Sequence, residues 1–165
     1  MLNFAVMDTT TKTLAHQYAT RLTQSAAKRS TAMREWASQN LVPALVDSLQ
    51  AEGIWIFGSV ARQDASPNSD LDVLVKNGST WDDVPWKKRM DVVYDVTERL
   101  TPPFPVDIVV LSHQEIAAKL QSRSPYFLLI WHEKEALYEH KRESKQCAAL
   151  VVAGPRGSEI GTGPT

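Results

Sequence analysis

The stretch from Ile54 to Val75, IWIFGSVARQDASPNSDLDVLV, leaves this chain few choices of fold. The apolar run Ile54-Trp55-Ile56-Phe57 stops at Gly58-Ser59, a polar segment rich in turn residues follows, and Asp70-Leu71-Asp72 opens a second apolar run, Val73 to Val75. This pattern predicts a strand, a turn into a helix, a loop and a second strand. Side chains alternate along a strand, so Asp70 and Asp72 share one face and Leu71 and Val73 the other. At about 6 Å and an effective dielectric near 20, two carboxylates repel by roughly 3 kcal/mol, so both stay ionised comfortably only with a divalent cation between them. Hard oxygen donors of this kind suit Mg²⁺ or Mn²⁺. A glycine at the end of the first strand permits close backbone approach, and a helix starting there aims free N–H groups and its positive end at phosphate oxygens. Ser59 adds a hydroxyl, and Arg62 falls one turn later on the same helix face.

Further along, Pro105-Val106-Asp107-Ile108-Val109-Val110-Leu111 reads as a third, buried strand. An unpaired carboxylate inside so apolar a run would cost several kcal/mol. Asp107 is therefore expected to join Asp70 and Asp72 as a third carboxylate, the alternative being an aspartate at a strand edge facing water.

Gly-Ser, ten residues, then Asp-x-Asp between apolar flanks resembles the signature of the polymerase-beta-like nucleotidyltransferase superfamily. GSVAR followed by SDLD is most similar to its minimal, single-domain members, the antitoxin type of minimal nucleotidyltransferase/HEPN modules. The resemblance covers roughly Leu41 to Glu139, and one departure is Gln63, where the family usually has glycine. It implies an α/β (α+β) fold, a small mixed sheet flanked by helices, with an extra N-terminal helical segment. It also implies an Mg-dependent enzyme that transfers a nucleoside monophosphate to a hydroxyl, most readily AMP from ATP. Asp70, Asp72 and Asp107 would be the catalytic and metal-binding residues for two Mg²⁺ ions. Gly58, Ser59, Arg62 and Ser69 would bind the nucleoside triphosphate. The acceptor implied is a tyrosine of a partner HEPN-type RNase toxin, which makes the chain an antitoxin. Two alternatives stand beside this: a small-molecule, aminoglycoside-like nucleotidyltransferase, which would lack room for a drug-holding helical domain, and a binding antitoxin that does no chemistry. A purely steric binder has no use for a cluster of like charges.

The rest of the chain frames this centre. A length of 165 residues suits one domain with its own core. The formal net charge of −1 argues against general nucleic-acid binding, which needs a basic surface. The single cysteine, Cys147, makes no intrachain disulfide, and Met1 to Asp8 lacks the form of a secretory signal, so cytoplasm is the expected compartment. No apolar run reaches the roughly 20 residues of a membrane span, so no membrane partner is expected. Residues 1–40 are expected to be an N-terminal helical extension, residues 41–140 the nucleotidyltransferase domain, and residues 141–165 a charged segment and disordered tail.

Within the extension, Leu14, Tyr18, Leu22 and Ala26 recur every fourth position and predict a helix packed on its own domain, or else against a partner helix. A stronger pattern runs from Met33 to Leu49, with a kink or restart near Asn40 because of Pro43, and with Gly53 as C-cap. Trp86, Met90, Val93, Val96 and Leu100 predict the buried face of a later helix, with Lys87-Lys88-Arg89 as a solvated face. Helices opening at Ser112 or His113 and at Ser124-Pro125, and a last short strand at Ala136–Glu139, complete the expectation. The four histidines have no neighbours at zinc-ligand spacing and are expected at the surface.

Overall fold

A computed structural model describes residues 9–140. The terminus before residue 9, and the tail expected from residue 141 with Cys147, lie outside the described residues. The order of elements is α1 (Thr9–Trp36), a π-helical turn (Ala37–Leu41), α2 (Val42–Leu49), β1 (Gly53–Phe57), α3 (Gly58–Ala61), β2 (Leu71–Lys76), a 3-10 turn (Ser79–Trp81), α4 (Trp86–Leu100), β3 (Val106–Leu111), α5 (His113–Gln121), α6 (Pro125–Glu133) and β4 (Glu135–Glu139).

Four strands form one mixed sheet in the order β3-β2-β1-β4. β1 runs antiparallel to both β2 and β4, whereas β2 and β3 are parallel and joined by the crossover helix α4. Alternation along the strands divides the core in two. On one face Ile54, Ile56, Val73, Val75 and Val110 pack with Met33, Leu41, Leu45, Leu49, Met90, Val93 and Val96 from α1, the π-turn, α2 and α4. On the other, Trp55, Phe57, Leu74 and Leu111 meet Ile116, Phe127 and Ile130 of α5 and α6. Leu41, Leu45 and Leu49 are wholly buried, and each contributes about 2–3 kcal/mol by leaving water. The body thus recruits Met33 and Ala37, which precede Leu41, into the same core as α2.

The two helical patterns before β1 form a single rod. Pro43 lacks an N–H and its ring would strike the carbonyl four residues back. The chain answers by widening one turn, with the Val42 N–H reaching Ala37 O, so the rod restarts at α2 with proline in its first turn. The expected C-cap at Gly53 is corrected: Gln50 ends α2 in the left-handed region, at φ 50°, and Gly53 is already the first residue of β1.

Three further expectations are corrected. The stripe on α1 does not pack on the domain, since Leu14, Tyr18 and Leu22 are 61%, 66% and 54% exposed. Trp86 is exposed rather than buried, because it is the first residue of α4 and lies beyond the sheet-facing stretch that begins at Arg89. Arg89 is not part of a solvated face. It is 2% exposed, donating from Nη1 and Nη2 to the two carboxylate oxygens of Glu115 at 2.7 Å each, and from Nη1 to Asn77 Oδ1 at 2.9 Å. Glu115 in turn accepts from the Ser112 N–H, closing a capping box at the start of α5. The guanidinium thereby ties α4 to the end of β2 and to α5. No helix among the described residues is long and apolar enough to cross a membrane.

Candidate active site

β2 carries the centre of the site. Asp72 pairs across the antiparallel ladder with Phe57 at the end of β1, and across the parallel ladder with Asp107 on β3. Asp70 stands one residue before β2 and two before Asp72, so it projects on the same side. The register therefore gathers what the chain separates by more than thirty positions. Asp70, Asp72 and Asp107 each offer a carboxylate oxygen, and these atoms all lie within 4.8 Å of one another.

Their environments differ. Asp72 is half-buried, and burial, followed by the charges of Asp70 and then Asp107, pushes its carboxyl from 3.8 up to about 6, with Arg62 acting weakly in the opposite sense. Asp107 is exposed. The expectation that it sits in a buried strand is corrected: β3 is the edge strand of the sheet, and an aspartate there reaches water without penalty. It meets the other two through register, not through the cost of burial. Asp70, Asp72 and Asp107 form the one such group of potential metal ligands among the described residues, and no histidine belongs to it.

Gly58 seals the other side. Its φ of +66° lies in the left-handed region, and a Cβ placed there would strike Oδ2 of Asp72. Any side chain at this position would both strain the turn and displace the carboxylate. α3 is a single turn, Gly58–Ala61, shorter than the helix expected. One turn carries little of a macrodipole, so backbone N–H groups rather than a helix field would meet an anion here. Arg62 N–H donates to Gly58 O at 3.1 Å and Asp64 N–H to Ser59 O at 3.0 Å, which fixes the turn. Gln63 follows with φ 62°, so this chain keeps the left-handed backbone that glycine would adopt there.

Arg62 ends α3. Its guanidinium donates to Asp64 Oδ2 at 3.3 Å and to Glu133 Oε2 at 2.8 Å, and these hydrogen bonds raise its already high pKa. Ser69 is engaged within its own loop: its hydroxyl accepts from the Ser66 N–H at 2.8 Å and lies 3.1 Å from the Ser66 hydroxyl. Its carbonyl accepts from Arg29 Nη2 on α1 at 3.4 Å, while Ser30 Oγ accepts from the Ala65 N–H at 3.3 Å. Arg29, Ser30 and Glu133 were not legible as site residues. Arg29 and Ser30 belong to a helix forty positions away with no spacing signal toward the loop, and Glu133 is one acid among many.

Hard oxygens from three carboxylates, held close enough that their repulsion adds to burial in raising one of them, are a donor set that fits a divalent cation such as magnesium. With the adjoining glycine turn and the mixed sheet, they define a protein of the polymerase-beta-like nucleotidyltransferase fold. The family model "Polymerase beta, Nucleotidyltransferase" matches residues 39–124, just over half of the chain, and the chain belongs to this family. No curated protein matches it. Among solved structures, a protein from Sulfolobus solfataricus provisionally described as a nucleotidyltransferase is similar at 22% identity and a TM-score of 0.50, over 71% of this chain and 90% of that one. A structure described as a toxin-antitoxin with AMP-PNP is similar at 20% identity and a TM-score of 0.45, over 63% of this chain and 74% of that one.

Proposed function

We propose that the chain is a magnesium-dependent nucleotidyltransferase that moves AMP from ATP to a hydroxyl of a partner protein. The observation that carries this is the convergence of Asp70, Asp72 and Asp107 within 4.8 Å, against a glycine whose missing side chain leaves room for Asp72. Magnesium held by these carboxylates would neutralise charge at the reacting phosphate and on the departing pyrophosphate, and would lower the pKa of the attacking hydroxyl. Two ions are proposed, since three carboxylates and a triphosphate provide ligands for both.

The chain's own residues orient the exchange. Gly58 N–H and the Ser59 hydroxyl hold the outer phosphates, which directs the α-phosphate toward the carboxylates. Arg62 supplies positive charge to the same phosphates. Ser69 shapes the loop that delivers Asp70 rather than touching the nucleotide through its hydroxyl. The acceptor oxygen attacks the α-phosphorus, the bond to the bridging oxygen breaks, and pyrophosphate leaves with the electron pair. Asp107, open to solvent on the edge strand, would take the acceptor's proton.

The motif's resemblance to minimal nucleotidyltransferases supports a HEPN-type RNase toxin as the partner and one of its tyrosines as the acceptor. The test is to incubate the chain with α-labelled ATP, Mg²⁺ and the product of the reading frame beside its own. Transfer of label to a tyrosine, abolished by Asp72→Asn, is expected. Undiminished transfer by that variant would remove Asp72 from the mechanism.

A further inference from the structure

The helix α1 is 28 residues long, and every residue from Thr13 to Ser25 is exposed. Only its C-terminal part, from Ala26 onward, enters the body, through Ser30, Met33 and the bonds from Arg29 and Ser30 to the loop before Asp70. The rest is an arm of about 20 Å at 1.5 Å per residue. Isolated helices of this length are marginal in water and take their stability from a packed face. Leu14, Tyr18 and Leu22, at i, i+4 and i+8, form such a face and are more than half exposed. At 100° per residue this stripe lies on the side of the helix that, further down, turns Arg29 and Met33 toward the body. The arm thus extends a helix that is bonded to the loop before Asp70, and it carries its apolar stripe on the side which that helix turns to the body.

We infer that this arm is the docking element for the acceptor protein, and that the surface it grips is an acidic one with an apolar groove. This rests on the nucleotidyl-transfer reading and specifies its partner. Tyr18 lies about 16 Å along the helix from Arg29, and Leu14 about 22 Å, distances a small-molecule acceptor cannot span. Between Thr13 and Arg34 the helix carries no acidic residue, and Arg21 and Lys28 face water, while Arg29 and Arg34 are engaged by the Ser69 carbonyl and by Glu135. Two such arms repel one another, which disfavours pairing with a second copy, and the same charge attracts an acidic partner. Three large apolar side chains in a row need a desolvating groove, as when an amphipathic helix enters a protein cleft; a phosphate backbone offers none.

The test uses the full chain and an extract of its own host with α-labelled ATP and Mg²⁺. Wild type and the variant Leu14→Ser/Tyr18→Ser/Leu22→Ser are compared, together with Arg21→Glu/Lys28→Glu. Each altered position is exposed, so melting temperature and the thermal shift given by Mg²⁺ with ATP should match wild type. Labelling of a protease-sensitive acceptor is expected to fall at least tenfold in both variants, and to weaken in wild type as salt is raised. Labelling unchanged in the apolar variant overturns the docking role alone. Label removed by nuclease, or a wild type that sediments as a dimer dissociated by the apolar changes, overturns the assignment of the occupant. A wild type that labels nothing overturns the nucleotidyl-transfer reading and the arm's role with it.

Discussion

Removing the charge of Asp72 should stabilise the metal-free protein. Its carboxyl titrates at about 6 in the folded chain against 3.8 when unperturbed, because burial and the neighbouring Asp70 and Asp107 disfavour ionisation. Below the lower value the group is protonated in both states and costs nothing. Between the two values the folded state binds the proton more tightly, so stability falls as pH rises, and above about 6 the full cost is present. By linkage that cost is at most about 3 kcal/mol at neutral pH. Solvent reaches the half-buried group, and screening leaves about 1–2 kcal/mol. Asp72→Asn keeps the shape and deletes the charge. In chelator at pH 7.5 it should therefore melt about 3–6 °C above wild type. At pH 4.5, between the two values, the difference should fall to about a third, and it should vanish only below 3.8. In Mg²⁺ the order should narrow or invert, because the cation stabilises only the protein that keeps its ligands. A variant no more stable than wild type in chelator, or equally favoured at both pH values, refutes the electrostatic reasoning.

Gly58→Ala should abolish transfer and cost about 1–3 kcal/mol in denaturant unfolding, since it adds left-handed strain and a clash with Asp72. Gln63→Gly should raise stability by about 1 kcal/mol with activity unchanged, because it relieves the φ of 62°. Glu115→Ala leaves the guanidinium of the buried Arg89 with Asn77 alone and should cost about 3 kcal/mol. The Arg89 hydrogen bonds hold the Glu115 carboxyl below its usual range. Their contribution is therefore full above the ordinary glutamate value and lost as pH falls through the folded one, a loss absent from the Glu115→Ala pH profile.

The centre of the fold was legible because its residues obey strict periods. Strand alternation put Asp70 and Asp72 on one face, and Gly58 at the end of an apolar run marked a close backbone turn, though not that the turn closes against Asp72. Asp107 was found for a partly wrong reason. An apolar run looks the same in sequence whether a strand is central or at an edge, and only strand order decides that. Arg89 was hidden by its company, since Lys87-Lys88-Arg89 has the composition of a solvated patch. Its phase with Val93 and Val96, four and seven residues on, was the available signal. Leu14, Tyr18 and Leu22 show the converse: a helical apolar stripe says that something covers it, not what. The bonds from Arg29 and Ser30 to the loop before Asp70 join elements about 35 to 40 positions apart and left no local trace.

The most direct test is to crystallise the chain with Mn²⁺ and a non-hydrolysable ATP analogue and to record anomalous diffraction. Manganese peaks within about 2.2 Å of carboxylate oxygens from Asp70, Asp72 and Asp107, with the outer phosphates against Gly58 and Ser59, are the expected result. Manganese bound elsewhere, or a triphosphate seated away from the glycine turn with the three aspartates bare, would contradict the account.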